Sequence, residues 1–398
     1  MTSNNTPENN EQYTWDSRAE TVQKDQIAAY DSMRSKCPVA HDEYMGFSLF
    51  KNEDIKFALA HPEIFSNRVS TRHVAVPNGL DQPEHTPFRA INDRYFTPQR
   101  MEEFEPKIRQ EVKRLIADLP REQEVEIMAD FAKLYAVRIQ NAFMGWPASL
   151  EKPLIDWMEK NRVATLNRDR EEIAKVALEF DGYIRDLLQE RKQAGAAAPD
   201  DVTTELLNDR VDLSQVAGEP QDTRTMTDEE LISLIRNWTV GELSTVSACA
   251  GIVVNFLGQN PQEAQRLREN PAAIPAAVEE MMRLQDPLVT NRRITTQDVE
   301  LRGQTITAGS RVTLNWTAAN RDEDAFEAAT EYRPERTQEN NLVYGAGIHV
   351  CPGAPLARLE LRILVEELLA GTEAIEVIAI ENSVYPVVGY SSVRAVLR

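Results

Sequence analysis

The hydrophobic pattern of the chain is dominated by one long apolar segment in its middle. Thr227 and Glu230 have the spacing of a capping box, in which each side chain accepts a hydrogen bond from the other residue's backbone amide. The segment that follows runs to about Leu257, and Asn260-Pro261 ends it. Residues 240–254 are nearly all small or apolar, and a helix that is apolar on every side is buried on every side. The pattern therefore predicts a long helix through the centre of one large domain.

The rest of the chain is predicted to be mainly helical with a small β region. Helical periodicity and helix-stop signals predict further helices at residues 52–60, 102–191 (with breaks), 204–208, 262–268, 274–284 and 354–369. Alternation predicts strands at 46–50 and 299–314, and a hairpin over 384–397 that turns near Gly389-Tyr390-Ser391. Residues 70–81 show no period and are expected to form a loop.

Composition narrows the class of protein. The chain has 398 residues, a net charge of -20 and a sequence pI of about 4.8, which argues against non-specific binding to nucleic acid or anionic membranes. We expect a flexible polar tail at 1–20, followed by a single domain at 21–398. The polar start lacks a signal peptide, and no stretch is expected to span a membrane, so the predicted location is cytoplasmic.

Three cysteines, Cys37, Cys249 and Cys351, lie far apart without CxxC spacing, which argues against a disulfide framework or a structural zinc site. Cys351 stands in a loop with three glycines, directly before a predicted helix. Glycine permits backbone angles that would let this loop pack against a flat partner, and the positive end of a helix favours a thiolate. Such a cysteine suits an axial ligand to heme iron. The alternative is a small buried residue in a turn.

The decapeptide from Tyr344 to Gly353, YGAGIHVCPG, resembles the heme-ligand signature of the cytochrome P450 family. That signature reads aromatic-Gly-x-Gly-x-His-x-Cys-x-Gly, and Tyr344 stands where phenylalanine is usual. The resemblance covers nearly the whole chain and implies the cytochrome P450 fold with heme b held by the Cys351 thiolate. The heme contacts that it implies within the signature are Tyr344, Gly345, His349, Cys351 and Gly353.

Two other segments carry the same resemblance. His85 and Arg89 are four residues apart, on one face of a predicted helix, where they would otherwise be a solvated pair. The resemblance implies that both contact the heme propionates, as does Arg293, with Arg292 as a neighbouring possibility. Glu280 and Arg283 would by default form a surface ion pair. The resemblance implies instead a buried pair, joined by an arginine of segment 332–336.

The central helix departs from the family pattern at its midpoint. Family members usually carry Gly-x-acid-alcohol there, which relays protons to the oxygen site. With Gly241 aligned to that glycine, Leu243 takes the acid position and Ser244 the alcohol position. A shift of one residue turns a side chain by about 100°, so Glu242 cannot simply replace the acid. Either Glu242, Ser244 or Thr245 reaches the oxygen site through a bulge or water, or protons take another route. Glu242 facing solvent or pairing with an arginine is the alternative.

The resemblance implies a monooxygenase that inserts one oxygen atom into a small hydrophobic substrate, by hydroxylation or O-dealkylation. Electrons would come from NAD(P)H through a ferredoxin or flavodoxin-type donor and its reductase. We expect substrate contacts from residues 70–81, 240–244, 288–291 and 389–391, with Asn291 and Tyr390 as polar anchors. A basic patch of Arg94, Arg100, Arg358 and Arg362 would dock the donor, unless these residues form a solvated face. The alternatives are a peroxide-driven peroxygenase and a heme-binding sensor without turnover.

Overall fold

The computed structural model describes residues 15–398 except 44, 71–73, 217, 219–222 and 388. The helices are α1 Glu20–Lys24, α2 Gln26–Lys36, α3 Asn52–Ala60, α4 His85–Tyr95, α5 Pro98–Asp118, α6 Lys133–Met144, α7 Glu151–Asn167, α8 Arg170–Ala194, α9 Val202–Asn208, α10 Asp228–Gln259, α11 Pro261–Glu269, α12 Ile274–Gln285, α13 Trp316–Ala319 and α14 Ala354–Gly371. The strands are β1 Val39–Asp42, β2 Gly46–Leu49, β3 Phe65–Ser66, β4 Glu124–Glu126, β5 Arg210–Asp212, β6 Thr223–Thr225, β7 Thr290–Thr295, β8 Val299–Leu301, β9 Gln304–Ile306, β10 Arg311–Asn315, β11 Ile375–Asn382 and β12 Tyr390–Leu397. The predicted mainly helical fold with a small β region is confirmed.

Helix α10 is the central element of the core. It begins with the predicted capping box: Thr227 Oγ1 accepts from the Glu230 amide, and the Glu230 carboxylate accepts from the Thr227 amide at 2.7 Å. The helix packs against α6, α8, α12 and α14. By length and composition it could cross a membrane, contrary to the sequence expectation, but 61% of its most apolar window is buried inside the protein. Its apolar character therefore reflects its place in the core.

The principal sheet has the strand order β1-β2-β10-β7-β3. Strand β10 runs parallel to β2 and antiparallel to β7, with Val312 opposite Arg293. Strand β7 of this sheet begins at Thr290, nine residues before the predicted strand region, so Arg293 lies inside a strand rather than ahead of one. Arg293 is paired with Val312 of β10 on one side, whereas β3 pairs on the other side only with the neighbouring residues Ile294 and Thr295.

Two expectations for the chain ends need correction. The first strand of the C-terminal hairpin, β11, begins at Ile375, so the connection between the strands covers residues 383–389. The expected tail of residues 1–20 lies outside the described residues up to residue 14. Trp15 is buried against Tyr30 and Phe50, and its amide donates to the His41 carbonyl. Residues 15–20 therefore belong to the fold, because an aromatic ring there fills part of the core.

Glu280 and Arg283 form a buried ion pair on α12. Arg283 Nε donates to Glu280 Oε2 at 2.7 Å, and both side chains are at most 1% exposed. Arg336 is the third member, since its Nε donates to Glu280 Oε1 at 3.0 Å. Arg283 also donates to the carbonyls of Asn320 and Ala329. One carboxylate thus joins α12 to the segment that leads into the cysteine loop, which is the arrangement that the resemblance implies.

Candidate active site

A cavity of about 730 Å³ lies between helix α10 and the cysteine loop. Its walls also include parts of segments 67–70 and 75–79, strand β7 with the segment before it, and the start of α14. The sequence-predicted residues among its lining are Gly241, Glu242, Thr245, Asn291, Arg293, Tyr344, Gly345, His349, Cys351 and Gly353. Distant parts of the chain that share the expected chemistry therefore meet at one cavity.

The cysteine loop is held by its own backbone and by two glycines with positive φ. The Cys351 amide donates to the Tyr344 carbonyl at 2.8 Å, which closes the loop. Gly347 has φ +71°, and a Cβ there would lie 2.6 Å from the Leu59 carbonyl oxygen, so only glycine fits. Gly345 also has positive φ but faces open space. Cys351 is exposed and lines the cavity.

The electrostatics around Cys351 differ from the sequence expectation. The amides of Gly353 and Ala354, at the start of α14, donate to the sulfur and lower its pKa, as does the charge of Arg89. Burial outweighs them, so the pKa of Cys351 is raised above its ordinary value. The helix start therefore favours the thiolate without being sufficient to produce it. A bound cation at the sulfur would supply the missing stabilisation.

Cationic and ring groups gather on one side of the cavity. The rings of His85 and His349 meet edge to face at 4.5 Å between centroids, and Arg293 is buried in the lining beside them. Burial, followed by the charges of His85, Arg293 and Arg89, lowers the pKa of His349 to about 3. Burial likewise lowers the pKa of Arg293 to about 10. These groups repel one another's positive charge.

Two members of this group, His349 and Arg293, have no directly bonded anion among the described residues. His349 Nε2 is buried without a hydrogen-bond partner. Within the described ranges Arg293 makes no ion pair; its Nη1 donates to the Arg292 carbonyl at 2.8 Å. An anionic ligand between these side chains would satisfy both defects. The two carboxylates at one edge of heme fit this group, and its iron fits the sulfur that faces the cavity.

His85 and Arg89 support the cysteine loop rather than line the cavity. Arg89 Nη1 donates to the carbonyls of Ile348 and Val350, at 3.2 and 2.5 Å, and its Nε pairs with Asp93. The His85 ring packs against His349. Their places on one face of α4 are as predicted, but the observed contacts are with the loop that carries Cys351. Direct propionate contact by these two residues stays a prediction.

Tyr344, the unusual aromatic residue of the signature, is fixed by a cation. Arg358 stands 4.3 Å from the centroid of the Tyr344 ring, and its guanidinium pairs with Glu279. The pair connects the loop to helix α14 and to α12. A cation over an aromatic face is attracted by the ring's negative centre, so the tyrosine holds its ring in the same way that a phenylalanine would.

The distal wall of the cavity shows which of the residues named around Gly241 reach the cavity. Glu242 and Thr245 both line the cavity, three residues apart on one face of α10. Leu243, assigned to the acid position, is fully buried in the core. Ser244, assigned to the alcohol position, lies outside the cavity lining and donates to the Val240 carbonyl of its own helix. The helix is continuous here, so Glu242 reaches the cavity without a bulge.

Glu242 neither faces solvent nor pairs with an arginine. Its Oε1 is buried without an ordinary hydrogen-bond partner, and its neighbour is the carboxyl of Glu360 on α14. Burial raises the pKa of Glu242 to about 7, against which the hydrogen bond with Glu360 acts. Glu360 escaped the sequence analysis. Helical spacing could have found it, because it lies four residues after Leu356 and four before Leu364, on a buried face.

Some of the segments that we expect to contact substrate line the cavity, and others do not. The described residues of loop 70–81 contribute Ser70, Ala75, Asn78 and Gly79, whereas 71–73 lie outside the described residues. Leu288 and Asn291 line the cavity as expected. The turn at 389–391 does not; Tyr385 and Pro386 take its place, because the hairpin connection starts earlier than predicted. The Tyr390 hydroxyl instead accepts from Asn255 at 2.7 Å.

The expected basic docking patch is neutralised by neighbouring carboxylates. Each of its four arginines has a carboxylate partner: Arg94 with Asp209, Arg100 with Glu205, Arg358 with Glu279, and Arg362 with both Glu105 and Glu366. These arginines therefore present ion pairs rather than a net positive surface on this acidic chain.

Comparisons with known proteins show which family the sequence is similar to. A sequence profile of the family described as cytochrome P450 matches residues 39–371. The chain is 31% identical over 357 residues to cytochrome P450 109 of Bacillus spizizenii, covering 87% of this chain and 84% of that protein. It is 29% identical over 354 residues to the erythromycin C-12 hydroxylase of Saccharopolyspora erythraea, covering 85% of each.

Solved structures show the same fold. A mutant of P450 EryK in complex with erythromycin B superposes with a TM-score of 0.82 at 26% identity, covering 94% of this chain and 96% of that chain. CYP109Q5 from Chondromyces apiculatus superposes with a TM-score of 0.83 at 23% identity, covering 96% and 98%. The agreement extends over nearly the whole described chain.

Proposed function

The chain belongs to the cytochrome P450 family, and we propose that this heme-thiolate monooxygenase oxidises a small hydrophobic substrate in the cytoplasm. Heme bound through a cysteine thiolate supplies the activation of dioxygen and the transfer of one oxygen atom to the substrate. The protein's own residues hold that group, shape the space above it, exclude water and deliver protons. Hydroxylation and O-dealkylation both follow from oxygen insertion at carbon.

Cys351 is the proposed ligand. Its sulfur faces the cavity, and the Gly353 and Ala354 amides donate to it, which lowers its pKa and holds its orientation. His349 and Arg293 are the proposed propionate partners, because they are buried cationic or donor groups without a directly bonded anion among the described residues. His85 and Arg89 brace the loop from behind. Tyr344 and Gly345 complete the wall of the heme pocket.

The size and lining of the cavity support a small substrate. The volume of about 730 Å³ must hold heme as well as substrate, and drug-sized ligands alone occupy sites of roughly 300–1,000 Å³. Apolar groups such as Val69, Phe96, Leu288 and Pro386 contribute more of the lining surface than the polar groups do. Asn291 is the proposed polar anchor, and it would orient a substrate that carries one hydrogen-bonding group.

Glu242 and Thr245 are the proposed proton-delivering residues. A carboxyl whose pKa is raised to about 7 can both hold and release a proton at neutral pH. Thr245, one turn further along the same face, carries a hydroxyl that can pass the proton on. Ser244 would act only through a change in its rotamer, because its hydroxyl donates to the Val240 carbonyl.

Electrons are proposed to come from NAD(P)H through a ferredoxin or flavodoxin-type donor and its reductase. A protonatable carboxyl in the cavity supports dioxygen rather than peroxide as the oxidant, because dioxygen cleavage consumes protons. Turnover should accordingly need the donor chain, and H₂O₂ alone should give little product.

The orientation of the Cys351 sulfur into the cavity is the observation that carries the proposal. Its test is the reduced carbon monoxide difference spectrum of heme-loaded protein. Wild type should show the red-shifted Soret band of a thiolate ligand, and Cys351→Ala should lose it. Cys249→Ala is the matched control, since Cys249 also lines the cavity but is fully buried in α10. Retention of the band in Cys351→Ala, or its loss in Cys249→Ala, would refute the assignment.

A substrate screen follows from the same material. Small terpenoid, aromatic and fatty molecules would be added to the heme-loaded protein, and the spin-state shift of the Soret band recorded. Compounds that shift the band should yield a product with one added oxygen atom when the donor chain and NAD(P)H are present. Asn291→Ala should weaken binding of those compounds that carry a polar group and leave purely apolar ones unchanged.

A further inference from the structure

A second pocket, of about 660 Å³, lies at the C-terminal end of α14, the end opposite the Cys351 loop. The helix has 18 residues, so about 27 Å separate its two ends. Three arginines from different elements line this pocket: Arg121 after α5, Arg268 on α11 and Arg398 after β12. None of its lining residues belongs to the main cavity, so the two sites are separate.

Two of these arginines bond to the backbone at the end of α14. Arg121 Nη2 donates to the Gly371 carbonyl at 3.0 Å, and Arg268 Nη2 donates to the Thr372 carbonyl at 3.0 Å. In the described part of the chain, the other hydrogen bonds of both guanidiniums also go to backbone carbonyls, apart from one to the Gln265 side chain. Neither has a described carboxylate partner, whereas every arginine of the expected docking patch has one.

Backbone pairing fixes the segments that carry the arginines. The Glu122 amide donates to the Leu397 carbonyl at 3.0 Å, which joins the segment that contains Arg121 to the end of β12. The Arg398 amide donates to the Ala374 carbonyl at 3.0 Å, which joins the same strand end to the segment after α14. The arrangement of the pocket is therefore set by the fold itself.

The lining of this pocket carries more positive than negative charge. Its three arginines face one acid, Glu373, and the end of a helix adds roughly half an elementary negative charge. Arg398 also pairs with Glu122 and Glu376, which lie outside the lining. A guanidinium has five N–H donors. Among the described contacts Arg121 uses three of them and Arg398 uses two, so each retains donors for a ligand.

We propose that this pocket binds a phosphate group, as inorganic phosphate or as part of a small phosphate monoester. The oxygens of a phosphate can accept from more than one guanidinium at once, through charge-assisted hydrogen bonds. A carboxylate has two oxygens and matches the fork of a single guanidinium. Bound phosphate supplies the negative charge that the lining lacks, and it stabilises the folded protein to which it binds. The site acts independently of the proposed oxidation reaction.

The first experiment is calorimetric titration of heme-loaded protein with sodium phosphate, with sodium chloride holding the ionic strength constant. Wild type should bind one phosphate with a dissociation constant of about 1 mM or tighter. Titration with AMP distinguishes the two sources, because a monoester ligand predicts tighter binding of AMP and free phosphate predicts the reverse. Acetate should not bind measurably. Absence of saturable phosphate binding, or equal affinity for acetate, would overturn the proposal.

The second experiment removes single donors. Arg398→Gln leaves the bonds to the α14 carbonyls in place and should weaken phosphate binding about tenfold, as the loss of a charge-assisted hydrogen bond implies. Arg394→Gln is the matched control. Arg394 belongs to β12, is similarly exposed and pairs with Glu124, but it does not line the pocket. Equal phosphate affinities of the two variants would contradict the assignment.

Thermal unfolding gives an independent readout of the same site. Phosphate should raise the Tm of wild type and of Arg394→Gln by the same amount, and that of Arg398→Gln by less. Arg121→Gln should also weaken phosphate binding, in protein whose circular dichroism and Soret band match those of wild type. A Tm increase that is as large in Arg398→Gln as in wild type would place the phosphate elsewhere and overturn the proposal.

Discussion

The two walls of the cavity were specified by the sequence in different ways. On the wall formed by the cysteine loop (the cysteine wall), backbone geometry determines where the sulfur lies. One hydrogen bond closes the loop, a glycine that no other residue can replace lets it pack against Leu59, and the start of α14 is directed at the sulfur. On the α10 wall, the backbone is a plain helix, and side-chain direction alone decides which groups reach the cavity. A local motif can reveal the first kind of wall, whereas the second depends on how the helix is rotated in the core.

The largest effect is expected when the buried carboxylate that ties α12 to the segment before the cysteine loop is removed. Glu280→Ala leaves Arg283 and Arg336 buried without their carboxylate, which should reduce the free energy of unfolding by about 3–5 kcal/mol. Urea denaturation measures the change. Glu279→Ala is the control on the next residue, since its partner Arg358 is half exposed, and it should cost under about 1 kcal/mol. Equal losses in the two variants would contradict the role of the buried triad.

A pair of glycine variants sharpens the claim about backbone geometry. Gly347→Ala adds a Cβ at positive φ and against the Leu59 carbonyl, whereas Gly345→Ala adds one at similar φ in open space. The second should cost the backbone strain alone, about 1–2 kcal/mol, and the first clearly more. Thermal unfolding and heme retention on a desalting column report both. Similar behaviour of the two variants would show that the close approach to Leu59 does not matter.

On the α10 wall, the raised pKa of Glu242 should make the free energy of unfolding depend on pH. Glu242 has an ordinary pKa of 4.5 and a folded pKa of about 7, so between these values the folded protein keeps a proton that the unfolded chain releases. Its contribution to stability is therefore lost as pH rises through this window, by up to about 1.4 kcal/mol per pH unit. Glu242→Gln should flatten the curve from denaturation series at pH 5 to 7.5. An unchanged slope would argue that Glu242 ionises normally in the folded state.

The smallest expected effects test which hydroxyl of α10, that of Ser244 or that of Thr245, acts in the cavity. Thr245→Val keeps the shape of the side chain but removes a hydroxyl in the cavity, and it should lower coupling several-fold. Ser244→Ala removes a hydroxyl that donates to the Val240 carbonyl, and it should change coupling little. Stability should move by under about 0.5 kcal/mol in the Ser244 variant. The reverse ranking would restore the register in which position 244 carries the alcohol.

The sequence predicted most elements of the fold because their signals are local. The bounds of α3 match residue for residue, and the capping box placed the start of α10. The start of the C-terminal hairpin was missed, since β11 is an edge strand whose alternate apolar residues Ile378 and Ile380 remain exposed. When both faces of a strand carry apolar residues, the sequence does not alternate between apolar and polar residues, and the pattern that predicts a strand is missing.

The cysteine loop carried the heme side of the prediction, whereas the proton side was predicted only in part, since Glu242 and Thr245 were named and Glu360 was not. Cys351 and His349 share one short motif, and Arg293 was assigned by resemblance. Glu360 lies 118 residues after Glu242, and only the packing of α14 against α10 brings the two together. Nor could composition show that four surface arginines are already occupied by carboxylates, because pairing depends on tertiary neighbours.

One cluster of side chains has a consequence for the amount of this protein in the cell. The cluster consists of His85, His349, Arg89 and Arg293. Without the cofactor, the positive charges of this cluster repel one another, and the ring nitrogen Nε2 of His349 stays buried without a hydrogen-bond partner. A ligand that binds only the folded form raises its stability in proportion to the logarithm of ligand concentration. Heme supply should therefore govern how much of this protein survives proteolysis, so that its abundance follows porphyrin synthesis before any substrate is present.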